Sequence, residues 1–167
     1  TVISVANLGV YSNSAIYTGY FDSNKCYNYI EEAFVHPTFG SVSVNQGGGY
    51  FSPASVMGNN RKCGGKWSGN YLNWATTQTI DPFRKALTGG YRSVDTPTQT
   101  ILEKATRANR NSYFPDRTVI AGVAGSVSPY GEELTSSLYQ GIDGSYQRNK
   151  AVRISRGSTH KFYSVRV

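Results

Sequence analysis

Two histidines, His36 before Pro37 and His160 near the carboxyl end, are the side chains best suited to proton transfer at neutral pH. Either could stand beside a serine and a carboxylate in three dimensions. No Gly-x-Ser-x-Gly stretch surrounds a nucleophile, however, so the abundance of serine carries no catalytic weight and a non-enzymatic protein is expected. Gly47, Gly48 and Gly49 could turn backbone N–H groups toward a phosphate, but they lack the GxGxxG spacing, a following lysine and a following helix. They read as a flexible turn. Asp22, Asn24 and Asp143 are oxygen donors outside any calcium-loop pattern, and turn chemistry accounts for them. Cys26 and Cys63 have neither the CxxC pairing nor the histidines of a zinc site. They are either a disulfide, whose long loop would stabilise the fold by roughly 4 kcal/mol, or two buried thiols.

The strongest compositional hint of a ligand is basic. NKAVRISRG followed by STHKFYSVRV alternates apolar and basic residues across a glycine-containing turn, the pattern of a hairpin. It would bring Arg148, Lys150, Arg153, Arg156, Lys161 and Arg166 together, interleaved with Phe162 and Tyr163. Such a strip could follow a nucleic-acid backbone while stacking on bases. Basic residues alternating along a strand also make an ordinary solvated face that discourages edge pairing. Arg61, Lys62 and Lys66 read as surface charge.

The elements that must position these residues follow from composition and pattern. With 167 residues, 38% hydrophobic and 16% charged, the chain is long enough for one domain with a core. Its 13 tyrosines and 18 glycines favour a loop-rich surface of Tyr, Ser, Asn, Thr and Gly. A net charge of +7 steers it toward acidic partners. No apolar run is long enough for a membrane span, and TVISVANLGV lacks the basic start of a signal peptide, so an export signal is expected upstream or removed. That first stretch reads as a strand. Residues 11–66 are dense in turn formers and predict loops with short strands such as Ser41 to Val44.

Leu72, Ala75, Ile80, Phe83 and Leu87 fall near helical spacing on one face. Pro82 divides them into a helix from about Asn70 to Gln78 and a second one capped by Asp81, with Gly89 beyond its end, or else kinks a single helix. In DTPTQTILEKATRA, Thr96 as cap, Pro97 and Gln99 predict a further helix with Ile101, Leu102, Ala105 and Ala108 facing the core. Trp67 and Trp74 are expected in that core. The fold class is α+β or α/β: a loop-rich single domain over residues 1–167.

Five stretches in one order carry a resemblance: YTGYFDSNKCYNY (17–29), YFSPASV (50–56), CGGKWSGNYLNWATTQTIDPFRKALTGG (63–90), YRSVDTPTQTILEKA (91–105) and the closing FYSVRV. They resemble the amino-terminal region of the PilY/PilC family of type IV pilus proteins, with its FDPxKCY segment, WSGNFLNWATMxRIDxxRKxLxGG helix and DTxTxTxLE segment. Packing alone explains Leu72 and Phe83 but not Gly69, Asn70 and Asn73. The resemblance implies a cell-surface adhesion or assembly role in a bacterium, at the pilus tip, outer membrane or periplasm, with minor pilins or a host-cell surface as partners. It also implies a partial or divergent von Willebrand factor A-like domain with a disulfide-tied insertion at about 11–66, one segment of a larger protein. A Cys26–Cys63 disulfide is expected. Tyr17, Tyr20, Tyr27 and Tyr29 are the expected surface contributors, because tyrosine gives contact area at low entropy cost. A von Willebrand factor A domain holds a divalent ion on Asp-x-Ser-x-Ser. Here Ser12 and Ser14 are kept and Val10 stands at the aspartate position, so neither a metal nor another cofactor is expected. Nucleic-acid capture by the basic hairpin is the alternative function.

Overall fold

The local rule that starts the fold is a cap. Ser68 lies in extended backbone and its Oγ accepts from the Tyr71 N–H at 3.2 Å, opening α1, Gly69–Thr76. All eight helix residues are buried, polar ones included. Asn70 and Asn73, one turn apart, explain why. The Asn70 amide oxygen accepts from the Tyr17 N–H at 2.9 Å and its nitrogen donates to the Ala15 carbonyl at 2.9 Å. Asn73 accepts from the Phe21 N–H at 3.0 Å and donates to the carbonyls of Tyr17 and Phe21 at 2.8 and 2.9 Å. An irregular segment with no strand partner thus has its backbone satisfied by two side chains. Close approach is part of the arrangement: a Cβ on Gly69 would sit 2.1 Å from the Asp22 carbonyl oxygen, and one on Gly19 2.4 Å from Asn73 Oδ1.

The computed structural model describes residues 10–78, 80–105, 115–138, 146 and 150–167. The expected first strand at residues 1–10, Asp143, Ala108 and Arg148 lie outside them, apart from Val10, which is exposed coil. The fold is mixed α and β, with three helices and several small antiparallel sheets among the described residues. In the first sheet β1 (Lys25–Glu31) lies between β4 (Gly49–Val56) and the short β5 (Trp67–Ser68). β2 (Phe34–His36) and β3 (Gly40–Val42) form a small hairpin. Tyr and β-branched residues fit a pleated surface, and so residues 11–66 hold four strands where mainly loops were expected. The turn formers are their connections. Val44–Gln46, partly counted with the expected strand, is a 3-10 turn.

α2 spans Ile80–Thr88 and ends on Gly89, whose φ of 74° and N–H bond to the Lys85 carbonyl make it the expected terminator. The break before it is fixed by Asp81, which accepts from the Gln78 N–H at 2.8 Å. The two-helix reading therefore holds, but α2 begins at Ile80, so Asp81 lies inside its first turn and is not its cap, and the shared apolar face does not hold. Restarting the helix changes its phase, and Ile80, Phe83 and Leu87 stay 44%, 51% and 81% exposed while Asp81 is buried.

A larger correction concerns DTPTQT. Thr96 does bond to Gln99, but its N–H donates to the Gln99 carbonyl and its Oγ1 accepts the Gln99 N–H. This closes a hairpin between β6 (Tyr91–Asp95) and β7 (Thr100–Glu103) instead of opening a helix. The same cap chemistry serves a turn, and Thr100, Ile101 and Leu102 favour the strand. The last sheet has the order β11-β10-β9-β8, from β8 (Arg117–Val119), β9 (Leu134–Leu138), β10 (Ala151–Arg156) and β11 (Thr159–Ser164). β10 and β11 are the expected hairpin, turning at Gly157 with φ 55°. A short α3, Ala121–Val127, connects β8 to β9.

The core is aromatic. Trp67 and Trp74 are each 2% exposed, as expected, and pack with Tyr11, Tyr71 and Phe51 against Val152, Ile154 and Leu134 of the last sheet. Ring pairs such as Tyr11–Trp74 (5.4 Å, 62°) are edge-on. The Cys26–Cys63 disulfide, with Cα atoms 5.7 Å apart, ties β1 to the loop before β5.

Trp74→Ala should cost about 3 to 5 kcal/mol in denaturant unfolding. Asn73→Ala, which orphans the Phe21 N–H and carbonyl while the Tyr17 carbonyl keeps the Ser23 hydroxyl, should cost about 2 to 4 kcal/mol; a near-neutral result would show that the segment at 17–21 does not depend on it. Burial raises Tyr29 and Tyr71 to about 12 in the folded chain, against about 10 when unfolded. Their contribution to stability is complete below the unfolded value and is lost as pH rises to the folded one. The denaturation midpoint should therefore fall above about pH 10, with phenolate absorbance lagging behind that of free tyrosine.

Candidate functional site

Where β1 and β11 approach, with the loop after α3 beside them, a groove of about 300 Å³ runs over an aromatic floor. Tyr27, Tyr29, Trp67, Tyr130 and Tyr163 line it, with Asn28, Lys66 and Lys161 at its edges. The rings hold each other: Trp67 meets Tyr163 at 5.1 Å and Tyr130 at 5.7 Å, and Tyr29 meets Tyr163 at 4.8 Å, all steeply inclined. Tyr130 and Tyr163 join hydroxyl to hydroxyl. Burial, first of all, pushes the Tyr163 phenol far above its ordinary value, so it is a neutral hydroxyl under all physiological conditions. The Arg156 guanidinium lies 4.2 Å from the Tyr130 ring centre and pairs with Glu132 at 2.9 Å. Lys161 pairs with Glu31 and lies 5.5 Å from the Tyr163 ring. A second hollow of about 410 Å³, lined by Val44, Asn45, His160 and Arg156, shares Glu31 and Lys161 with the groove.

The groove thus combines aromatic faces, fixed hydroxyls, an exposed amide and paired charges. Among the described lining residues of both hollows there is no serine, threonine or cysteine for a histidine to activate.

The structure rearranges the expected site. Tyr17, Tyr20 and Tyr27 are 7%, 5% and 2% exposed, so they are core residues and not surface contributors. Their hydroxyls explain it in part: Tyr17 accepts from the Ser12 N–H at 3.1 Å and Tyr27 from the Asp22 N–H at 2.8 Å. Tyr29 is half-buried and donates to the Gly47 carbonyl at 2.9 Å. Only edges of Tyr27 and Tyr29 reach the groove. The three glycines are likewise no flexible turn: a Cβ on Gly48 would lie 2.7 Å from the Glu32 carbonyl, and the Gly47 and Gly49 carbonyls accept from Ser164 and Arg166. Ser12 and Ser14 bond hydroxyl to hydroxyl at 2.8 Å.

The basic hairpin divides in the same way. Lys161 edges the groove, Arg156 lines the neighbouring hollow and stacks on Tyr130, and Arg153 is half-buried on β10. Lys150 and Arg166 are buried, 5% and 4% exposed, and both face Glu103, which is fully buried. Their charges are spent inside the protein. A continuous phosphate-binding strip is therefore not what the described residues form. His36 completes that cluster: its Nδ1 accepts from the Thr38 N–H at 3.1 Å, leaving Nε2 to donate to Glu103 at 3.1 Å. Beside it Lys104, held by Asp81 and by Gln78 Oε1 at 3.1 Å, has its pKa lowered because burial outweighs the pull of the carboxylate. Sequence reasoning missed Tyr130, Asn28 and Glu103. Pro129-Tyr130 beside a glycine could have marked an exposed aromatic turn, but a glutamate in TILE gives no sign of burial.

The chain matches a family model described as "PilY1 homolog, small alpha/beta domain" over residues 9–162. It is similar to two proteins of Xylella fastidiosa (strain Temecula1), each named a type IV pilus biogenesis factor PilY1 homolog. One is 50% identical over 127 residues, covering 71% of this chain and 9% of the relative. The other is 35% identical over 139 residues, covering 83% and 7%. The chain thus spans less than a tenth of these relatives. No solved structure matches it.

Glu103→Gln should cost about 3 to 5 kcal/mol in unfolding, since Lys150 and Arg166 would lose a buried counter-charge. Glu132→Gln, whose partner Arg156 is at the surface, should cost under about 1 kcal/mol.

Proposed function

Because the chain belongs to the PilY1-homolog small α/β domain family, we propose that it is a pilus-associated, non-enzymatic binding module. It works by protein–protein contact in the biogenesis or adhesion of type IV pili. The observation that carries this reading is the groove between β1 and β11, where aromatic rings are locked by one another and rimmed by charges of both signs. Rigid aromatic side chains lose little entropy on binding, and a polar rim supplies specificity. The relatives are named as type IV pilus biogenesis factors, which favours pilus-related partners; minor pilins at the pilus tip are the ones proposed, and a host-cell surface would use the same groove. No helix among the described residues is long and apolar enough to cross a membrane, and an extracellular or periplasmic position belongs to the same proposal. The fold lends no support to a von Willebrand factor A-like region, since every strand pairing among the described residues is antiparallel.

The test sets pilin subunits, host-cell surface and single-stranded DNA side by side at two salt concentrations. Saturable binding to pilins or cells that changes little with salt is expected, weakened by about 2 kcal/mol in Tyr130→Ala. Binding to DNA alone, falling steeply with salt, would overturn the reading in favour of nucleic-acid capture.

A further inference from the structure

A third hollow, also of about 410 Å³, lies away from the groove, where the β2–β3 hairpin faces α2 and β6. His36, Phe39, Arg84, Tyr91, Lys104 and Lys150 line it, and no carboxylate is among its described lining residues. The volume is at the lower end of ligand pockets, about 300 to 1,000 Å³, room for one side-chain-sized group.

The charges facing this cavity can be assigned one by one. Lys104 is held by Asp81 from behind, and Lys150 by Glu103. His36 accepts a backbone proton on Nδ1, so its ring is a neutral donor directed at Glu103. Arg84 is exposed on α2 and has no carboxylate within ion-pair distance among the described residues. One unmatched positive charge therefore stands at the mouth, with the rings of Phe39 and Tyr91 as apolar walls. The Lys150 ammonium lies 5.3 Å from the centre of the Tyr91 ring, which fixes that wall.

We infer that this cavity binds a single carboxylate attached to an apolar group, with Arg84 as its counter-ion and Phe39 and Tyr91 as its walls. A guanidinium presents a planar pair of donors that a carboxylate accepts in parallel. A doubly charged phosphate would need a second free cation, and both lysines are committed to buried acids. The carboxylate could belong to a small organic acid or to the carboxyl terminus of a partner polypeptide. The inference does not depend on the pilus reading.

The test is a titration of the isotope-labelled 167-residue chain, followed by amide resonances. The probes are N-acetylphenylalanine, its carboxamide, phenyl phosphate, and a tripeptide ending in phenylalanine as free acid or amide. The free acids should shift the Phe39, Tyr91 and Ala105 amides saturably, and the carboxamides should not. Arg84→Gln should weaken the acids at least tenfold; Arg92→Gln, which removes an exposed arginine paired with Asp95, should leave them unchanged. Tighter binding of the tripeptide acid identifies a polypeptide terminus as the source, and equal binding identifies a small acid. Equal binding of acid and amide, preference for phenyl phosphate, indifference to Arg84→Gln, or no saturable shift would each overturn the inference. Arg84 is at the surface, so its replacement leaves the fold intact for comparison.

Discussion

Two asparagine side chains do for residues 15–21 what a neighbouring strand would otherwise do. Backbone polar groups removed from water must find partners, and this segment has no ladder to join. Asn70 and Asn73 reach it from one face of α1 and satisfy the N–H of Tyr17 and of Phe21 together with the carbonyls of Ala15, Tyr17 and Phe21. Everything around them is sized to that contact. A side chain on Gly69 would collide with the Asp22 backbone and one on Gly19 with the Thr77 and Asn73 side chains, and Tyr11, Tyr17, Trp67 and Trp74 belong to the same core. The aromatic floor of the groove rests on Trp67, so binding surface and clamp share one foundation.

A different kind of constraint governs the other end of the molecule. Glu103 is fully buried, and two cations and a neutral imidazole converge on it from β2, from the residue before β10 and from the stretch after β11. Such a cluster adds little to stability compared with apolar packing, but it allows only one arrangement of the elements that contribute to it. That is why the cavity beside it can be cationic and still well formed: its lysines are oriented by the acids behind them.

The sequence made some of this legible and hid the rest for physical reasons. Local signals survived. Gly157 turns the last hairpin and Gly89 ends α2 through their own left-handed backbones, and Asp81 separates the two helices through a side-chain bond to Gln78 only three residues away. Signals with two uses failed. Thr96 and Gln99 pair in a capping box and in a hairpin turn alike, and the decision fell to strand partners distant in sequence. The tyrosines at 17, 20 and 27 suit a contact surface, since tyrosine gives contact area at low entropy cost, yet they lie in the core. Their burial depends on α1, some fifty residues later, and no local pattern records it. Ile80, Phe83 and Leu87 erred in the opposite direction: a helical apolar face without anything on the page of the sequence to say whether it is covered. The groove is half legible, through Tyr27, Tyr29 and Lys161, and its half-buried Tyr130 is not.

Residues 165–167 form no long strand, yet their backbones bond to Lys150, to Leu102 and Lys104, and to Phe51. They therefore stitch the first sheet, the β6–β7 hairpin and the last sheet at a single point. Contacts that span so much of the chain are slow to close, because loop entropy must be lost before any of them forms. The clamp and the disulfide can be made by the first 76 residues alone, whereas the stitch cannot. Folding of these residues in vectorial synthesis is accordingly divided in time: the contacts among residues 15–76 can be rehearsed early, and a later cooperative step waits for the short stretch Val165, Arg166 and Val167.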